Sequence, residues 1–202
     1  MAIYLAILMA RFVWLHEIAH CQCGHVDYAH AQKLAWRLHE VPEELHALVG
    51  CADTHKISAL HLIELEADAV AIQHALWLQA DDAEDIPGIA ALPRAFRLEL
   101  ALFAAYAMTW LFEEYQAYMR SAHGLTHPRP RDRLRHLFHH AALAGQGIGG
   151  FAAIQQSAQA QFDHLRRAIP HLHPWPEDAD DGAAAEPLAL RELLSPYRYV
   201  QS

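Results

Sequence analysis

The stretch Ile3-Tyr4-Leu5-Ala6-Ile7-Leu8-Met9-Ala10-Arg11-Phe12-Val13-Trp14-Leu15-His16-Glu17-Ile18-Ala19-His20 decides how this chain is read. Apolar residues run through it almost without a break and show no period-two alternation. It therefore reads as a central helix buried on most sides, with Gly24 as its stop. A signal peptide needs a basic segment ahead of the apolar run and small residues at a cleavage site. Here the first basic residue, Arg11, lies inside the run and His16-Glu17 follows directly, so a signal peptide is not expected. Polar side chains on so apolar a helix call for a buried reason.

Working outward, further helical stretches are expected at about Tyr28–Val49 with Pro42 inside it, Lys56–Leu78 and Pro93–Arg120, then two shorter ones near Asp132–Ala144 and Ala152–Ala168. Gly50 closes the first of these. An acidic turn at Asp81–Gly88 and a glycine-bearing stretch at Gly145–Gly150 separate later ones. The longest other apolar run, Leu100–Phe112, has 13 residues. A membrane span needs about 20, so this run reads as a core helix. No strand pattern and no internal repeat appears. The fold class is mainly α, with a domain at 1–169 and a Pro-rich, acidic tail at 170–202 that carries a short amphipathic stretch, Leu188–Leu194.

Composition narrows the partners. The 202 residues are 53% hydrophobic and 19% charged, enough apolar material for one domain with a core. The formal charge of −9 argues against a nucleic-acid partner, which would need a basic surface. Three cysteines, two of them only two residues apart at Cys21 and Cys23, make no disulfide framework. The expectation is a soluble, cytoplasmic protein with no membrane partner.

The chemistry concentrates at His16-Glu17-Ile18-Ala19-His20. Positions i and i+4 of a helix share a face, so two imidazoles one turn apart can grip one metal ion. A carboxylate directly after the first His can take a proton from a metal-activated water and return it to a leaving amine. With 17 histidines, chance alone produces such a pattern in roughly one such chain in ten. The motif needs a third ligand, and His61-Leu62-Ile63-Glu64-Leu65-Glu66-Ala67-Asp68 supplies candidates. Glu64 and Asp68 stand four apart on one helical face, Glu64 as the third ligand and Asp68 as a hydrogen-bond partner for a ligating imidazole. His61 is the competing ligand. Glu66 points elsewhere and reads as a solvated charge.

His16-Glu17-Ile18-Ala19-His20 followed by Glu64-Leu65-Glu66-Ala67-Asp68 resembles the gluzincin metallopeptidases of the HtpX and CAAX-prenyl-protease kind. Thr126-His127-Pro128, with Arg133 beyond it, extends the resemblance, which covers roughly residues 10–140. The run from His20 through Gly24-His25 to Tyr28 is also similar to soluble Lit-like relatives. The resemblance implies Zn²⁺ on His16, His20 and Glu64, a protein or peptide substrate, and Glu17 as general base. It places His127 near the site as a donor to an oxyanion, and it leaves Arg133 to pair with Asp68 or with another carboxylate. Two departures stand out. Cys23 and Val26 occupy positions where a metzincin has Gly and His, and the β-sheet that usually precedes the motif helix is missing from the 15 residues before His16. The alternative function is thus a non-catalytic zinc-binding or regulatory domain.

The remaining constellations are weaker. Cys21, Cys23 and His25 alternate, so a second metal site there would need a bend at the helix end. They read more simply as side chains around a terminus. Trp36, Trp77, Phe103, Tyr106 and Trp110 read as packing residues, and His74, His136, His139, His140 and His164 as surface or packing residues.

Overall fold

The structure is a computed structural model and describes residues 2–31, 54–80, 84–118 and 130–169. Among the described residues the helices are, in chain order, α1 (Ala2–Gln22), α2 (His25–Ala31), α3 (Thr54–Ala80), α4 (Pro87–Ala90), α5 (Arg94–Tyr118), α6 (Pro130–Ala144) and α7 (Phe151–Ala168). No strand occurs among the described residues. The mainly α reading holds, and the helical stretches expected at 56–78, 93–120, 132–144 and 152–168 correspond to α3, α5, α6 and α7. Most of the stretch expected at 28–49, together with Trp36, His127 and the 170–202 tail, lies outside the described residues.

Helix boundaries follow local chemistry. Gly24, at φ 75°, takes the left-handed conformation that turns the chain sharply out of α1. The Cys23 amide donates to the Ala19 carbonyl at 2.9 Å on one side of this corner. On the other, the Tyr28 amide donates to the Gly24 carbonyl at 3.0 Å. Pro87 occupies the first turn of α4, where its missing N–H costs nothing. Arg97 closes the junction by donating to the Gln79 carbonyl at the end of α3 and to the Ala90 carbonyl at the end of α4, each at 3.2 Å.

The centre of the molecule is α5 rather than α1. Ala101, Leu102, Ala104, Ala105, Tyr106 and Ala107 are all buried, so α5 is enclosed on nearly every side by α1, α3, α6 and α7. Phe12, Ile72, Leu76, Leu134, Leu137 and Phe162 form one core with Leu98 and Leu102 of α5. Tyr106 meets Phe138 edge-to-face with ring centroids 4.6 Å apart, and Trp110 meets Phe162 at 6.1 Å. In α3 the buried positions Ile63, Ala67, Ala71 and Ala75 recur every four residues. Small buried side chains at three of these positions let α3 pack closely against its neighbours, α1 among them.

Two readings need correction. The apolar N-terminal helix is not buried on most sides, because Ile3, Trp14 and Ile18 are exposed on α1. Trp77 is not a core residue but is 55% exposed on the outer face of α3. By length and composition alone, α1 and the Arg94–Phe112 part of α5 are each apolar enough to cross a membrane. Most of the α5 segment is buried against its neighbours.

Outside the core, Arg11 ties α1 to the α3–α4 junction. It donates to the Glu84 carboxylate at 2.5 and 3.1 Å and to Asp85 at 3.0 Å. Burial works against the Glu84 carboxylate, but hydrogen bonds from Arg11, Gln79 and the Ile86 amide hold its pKa below the ordinary value.

Candidate metal centre

The last two turns of α1 carry His16 and His20 on the face turned towards α3, where Glu64 and Asp68 stand one turn apart. All four side chains are buried. His16 Nε2 lies 3.0 Å from His20 Nε2 and 3.4 Å from Glu64 Oε2, and His20 Nε2 lies 3.6 Å from Glu64 Oε1. A tetrahedral ion with bonds of about 2.0–2.2 Å holds its donors roughly 3.3–3.6 Å apart. The two imidazole–carboxylate separations, each to a different Glu64 oxygen, fall in this range, and the two imidazole nitrogens stand somewhat closer together than such an ion would hold them. Two imidazole nitrogens aimed at each other also need a cation or a proton between them, because two lone pairs repel. Two His and one Glu form a donor set suited to zinc.

Behind His16 the site is firmly anchored. His16 Nδ1 lies 2.9 Å from Asp68 Oδ1, and Arg133 of α6 donates through Nε and a terminal nitrogen to the two Asp68 oxygens, both at 2.7 Å. Burial alone would raise the Asp68 pKa, but the Arg133 guanidinium and the His16 hydrogen bond bring it down to about 2. Burial opposes a charged His16 as well. The hydrogen bonds and charges of Asp68 and Glu64 outweigh it and raise His16 to about 9. His20 goes the other way. Burial, reinforced by the neighbouring His16 and His25, lowers it to about 3 despite Glu64.

The structure brings together His16, His20 and Glu64 as converging donors, with Asp68 and Arg133 directly behind them. His61 is not part of the convergence. Glu17 is half-buried on α1, and its charge adds to those that keep Arg133 protonated.

Sequence reasoning missed a second chain of contacts. His20 Nδ1 lies 2.9 Å from His25 Nδ1, and His25 Nε2 lies 3.1 Å from Glu66 Oε2. Glu66 is therefore not a solvated charge but the partner of a fully buried histidine. Cys21 is exposed and stays apart, whereas Cys23, His25 and Glu66 bring donor atoms within 4.8 Å of one another. The available signal was Gly24 immediately before His25, a corner that can return the next side chain to the preceding helix.

The sequence model of the peptidase U49 family matches residues 2–154. The chain belongs to the peptidase U49 family. The match spans α1 to α6 and the start of α7, so every residue of the centre lies inside it. No curated protein and no solved structure matches the chain. Membership in a peptidase family supports a peptidase acting on protein or peptide substrates.

Proposed function

We propose that the chain is a zinc-dependent endopeptidase of the gluzincin type, related to the HtpX and CAAX-prenyl-protease kind and working in the cytoplasm. The observation that carries this reading is the convergence, at 3.0–3.6 Å, of His16 and His20 of the His-Glu-x-x-His segment with Glu64 of α3. These three residues would hold Zn²⁺, which when bound supplies Lewis acidity to polarise a scissile carbonyl and to acidify a water. Glu17 follows His16 on the same helix. Its carboxylate accepts the proton of the attacking water and passes it to the departing amine, so one side chain serves as base and then as acid. Asp68, clamped by Arg133, holds the His16 ring with its Nε2 towards Glu64 and His20. On this reading His127 would serve as donor to the oxyanion.

The test combines metal analysis of the purified chain with proteolysis of an unfolded casein-type substrate. About one Zn²⁺ per chain is expected, lost in His20→Ala. Glu17→Gln should keep the metal and lose hydrolysis by about 10²–10⁴-fold. An active Glu17→Gln sinks the mechanism. Zinc bound at this centre with no hydrolysis by the unaltered chain leaves the alternative, a zinc-binding domain without catalysis.

A further inference from the structure

The contacts behind His20 form a line of three groups: His20 Nδ1 to His25 Nδ1 at 2.9 Å, then His25 Nε2 to Glu66 Oε2 at 3.1 Å. His25 is fully buried, and the Glu66 side chain is 17% exposed. A neutral imidazole has one N–H and one bare nitrogen, so each link in such a line fixes the next.

The direction follows if His20 binds metal through Nε2, as the proposed function requires. That lone pair is then committed, and the His20 hydrogen sits on Nδ1 and is donated to His25 Nδ1. His25 accepts there, so its own hydrogen sits on Nε2 and is donated to the Glu66 carboxylate. Every donor meets an acceptor, and the line ends on an anion. The arrangement parallels the one behind His16, whose Nδ1 faces Asp68 with Arg133 beyond it.

We propose that His25, oriented by Glu66, is a positioning residue that fixes the tautomer and ring angle of His20 for metal binding. Cys23, His25 and Glu66 also have the donor types of a metal site of their own. While the first site is filled, a metal there would break the His20–His25 hydrogen bond. A metal on His25 Nε2 needs a lone pair there, which moves the His25 hydrogen to Nδ1. His20 Nδ1 would then have to accept, and the His20 hydrogen would occupy the Nε2 that the first metal needs. The line of hydrogen bonds and the second site are mutually exclusive, and the line as it stands serves the centre of His16, His20 and Glu64.

The test uses the full chain and reads zinc affinity by chelator competition, zinc stoichiometry, and the visible spectrum of the Co²⁺-substituted protein. His25→Phe keeps a ring but removes the acceptor, and should weaken zinc about 10–100-fold and alter the cobalt spectrum. His25→Asn returns a carbonyl oxygen near the Nδ1 position and should recover most of the loss. Glu66→Gln, a milder change kept in case His25→Phe fails to fold, should weaken zinc in the same direction by several-fold. Unaltered affinity and cobalt spectrum in the folded variants overturn the proposal. So does a second zinc per chain that Cys23→Ser removes. His16→Ala separates the two readings. If it keeps its zinc, the metal-centre assignment itself fails. If it loses zinc while His25→Phe keeps full affinity, only the positioning role fails.

Discussion

His16 and His20 are chemically identical and one turn apart, yet their surroundings drive them in opposite directions, to about 9 and about 3. Without metal, His16 is therefore protonated at neutral pH and can donate from both nitrogens, to Asp68 and to the bare Nε2 of His20. A metal ion must displace that proton, whereas His20 has none to give up. Zinc uptake at pH 7 should release one proton from this pair, and the apparent affinity should rise about tenfold per pH unit until about pH 9. Calorimetry in buffers of different ionisation enthalpy reads the proton count, and a flat pH dependence would contradict it. Asp68 gives the second prediction at this scale. Its carboxyl is held at about 2 in the folded protein, below its ordinary 3.8. Its contribution to stability, on the order of 2 kcal/mol, is therefore complete above about pH 4 and lost as pH falls towards 2. Asp68→Asn should remove that acid dependence in urea unfolding of the metal-free chain. It should also cost about 3–5 kcal/mol at neutral pH, because it leaves the Arg133 charge buried without its counter-ion. The spacing of His16, His20, Glu64 and Asp68 made these residues legible in the sequence, because i and i+4 share a helical face whatever surrounds the helix. Glu66 was not legible. A step of two residues turns a side chain about 200° away, so periodicity sent it to solvent. Only the corner at Gly24 brings His25 to where Glu66 can reach it.

Among the elements, the junction between α1 and α2 is the sensitive one. Gly24 at φ 75° is in a conformation that costs an L side chain about 1–2 kcal/mol. Gly24→Ala should lower the melting temperature of the metal-free chain by about 2–8 °C and weaken zinc in addition, since it shifts His25 relative to His20. Gly24→Asn, which tolerates the left-handed region, should cost less on both counts. Thermal unfolding and chelator competition on the same samples check the pair. Gly88 illustrates a different constraint, because a Cβ there would lie 1.9 Å from the Tyr4 hydroxyl oxygen. Helix existence and type could be read from the apolar run, the proline positions and the glycines. The rank of the helices could not, because an apolar stretch does not reveal how many neighbours will cover it. α1 and α5 look alike by hydropathy, and only the packing shows that α5 is surrounded while α1 keeps Trp14 and Ile18 exposed.

Across the whole molecule, stability rests on the core around α5. Phe162→Ala, which empties a site between Tyr106 and Trp110, should cost about 3–5 kcal/mol, read as a lowered urea midpoint with little change in slope. The candidate metal centre draws on the same assembly through contacts remote in sequence. Asp68 lies 52 residues from His16 and 65 from Arg133, so one buried carboxylate joins α1, α3 and α6. No local segment can build this arrangement in advance, since each contact must first close a long loop. During synthesis the histidines emerge before Asp68, and the guanidinium that steadies Asp68 follows only with α6. The order of synthesis thus acts as a timer: a chain that stops short of α6 carries the motif without the guanidinium that holds it in shape.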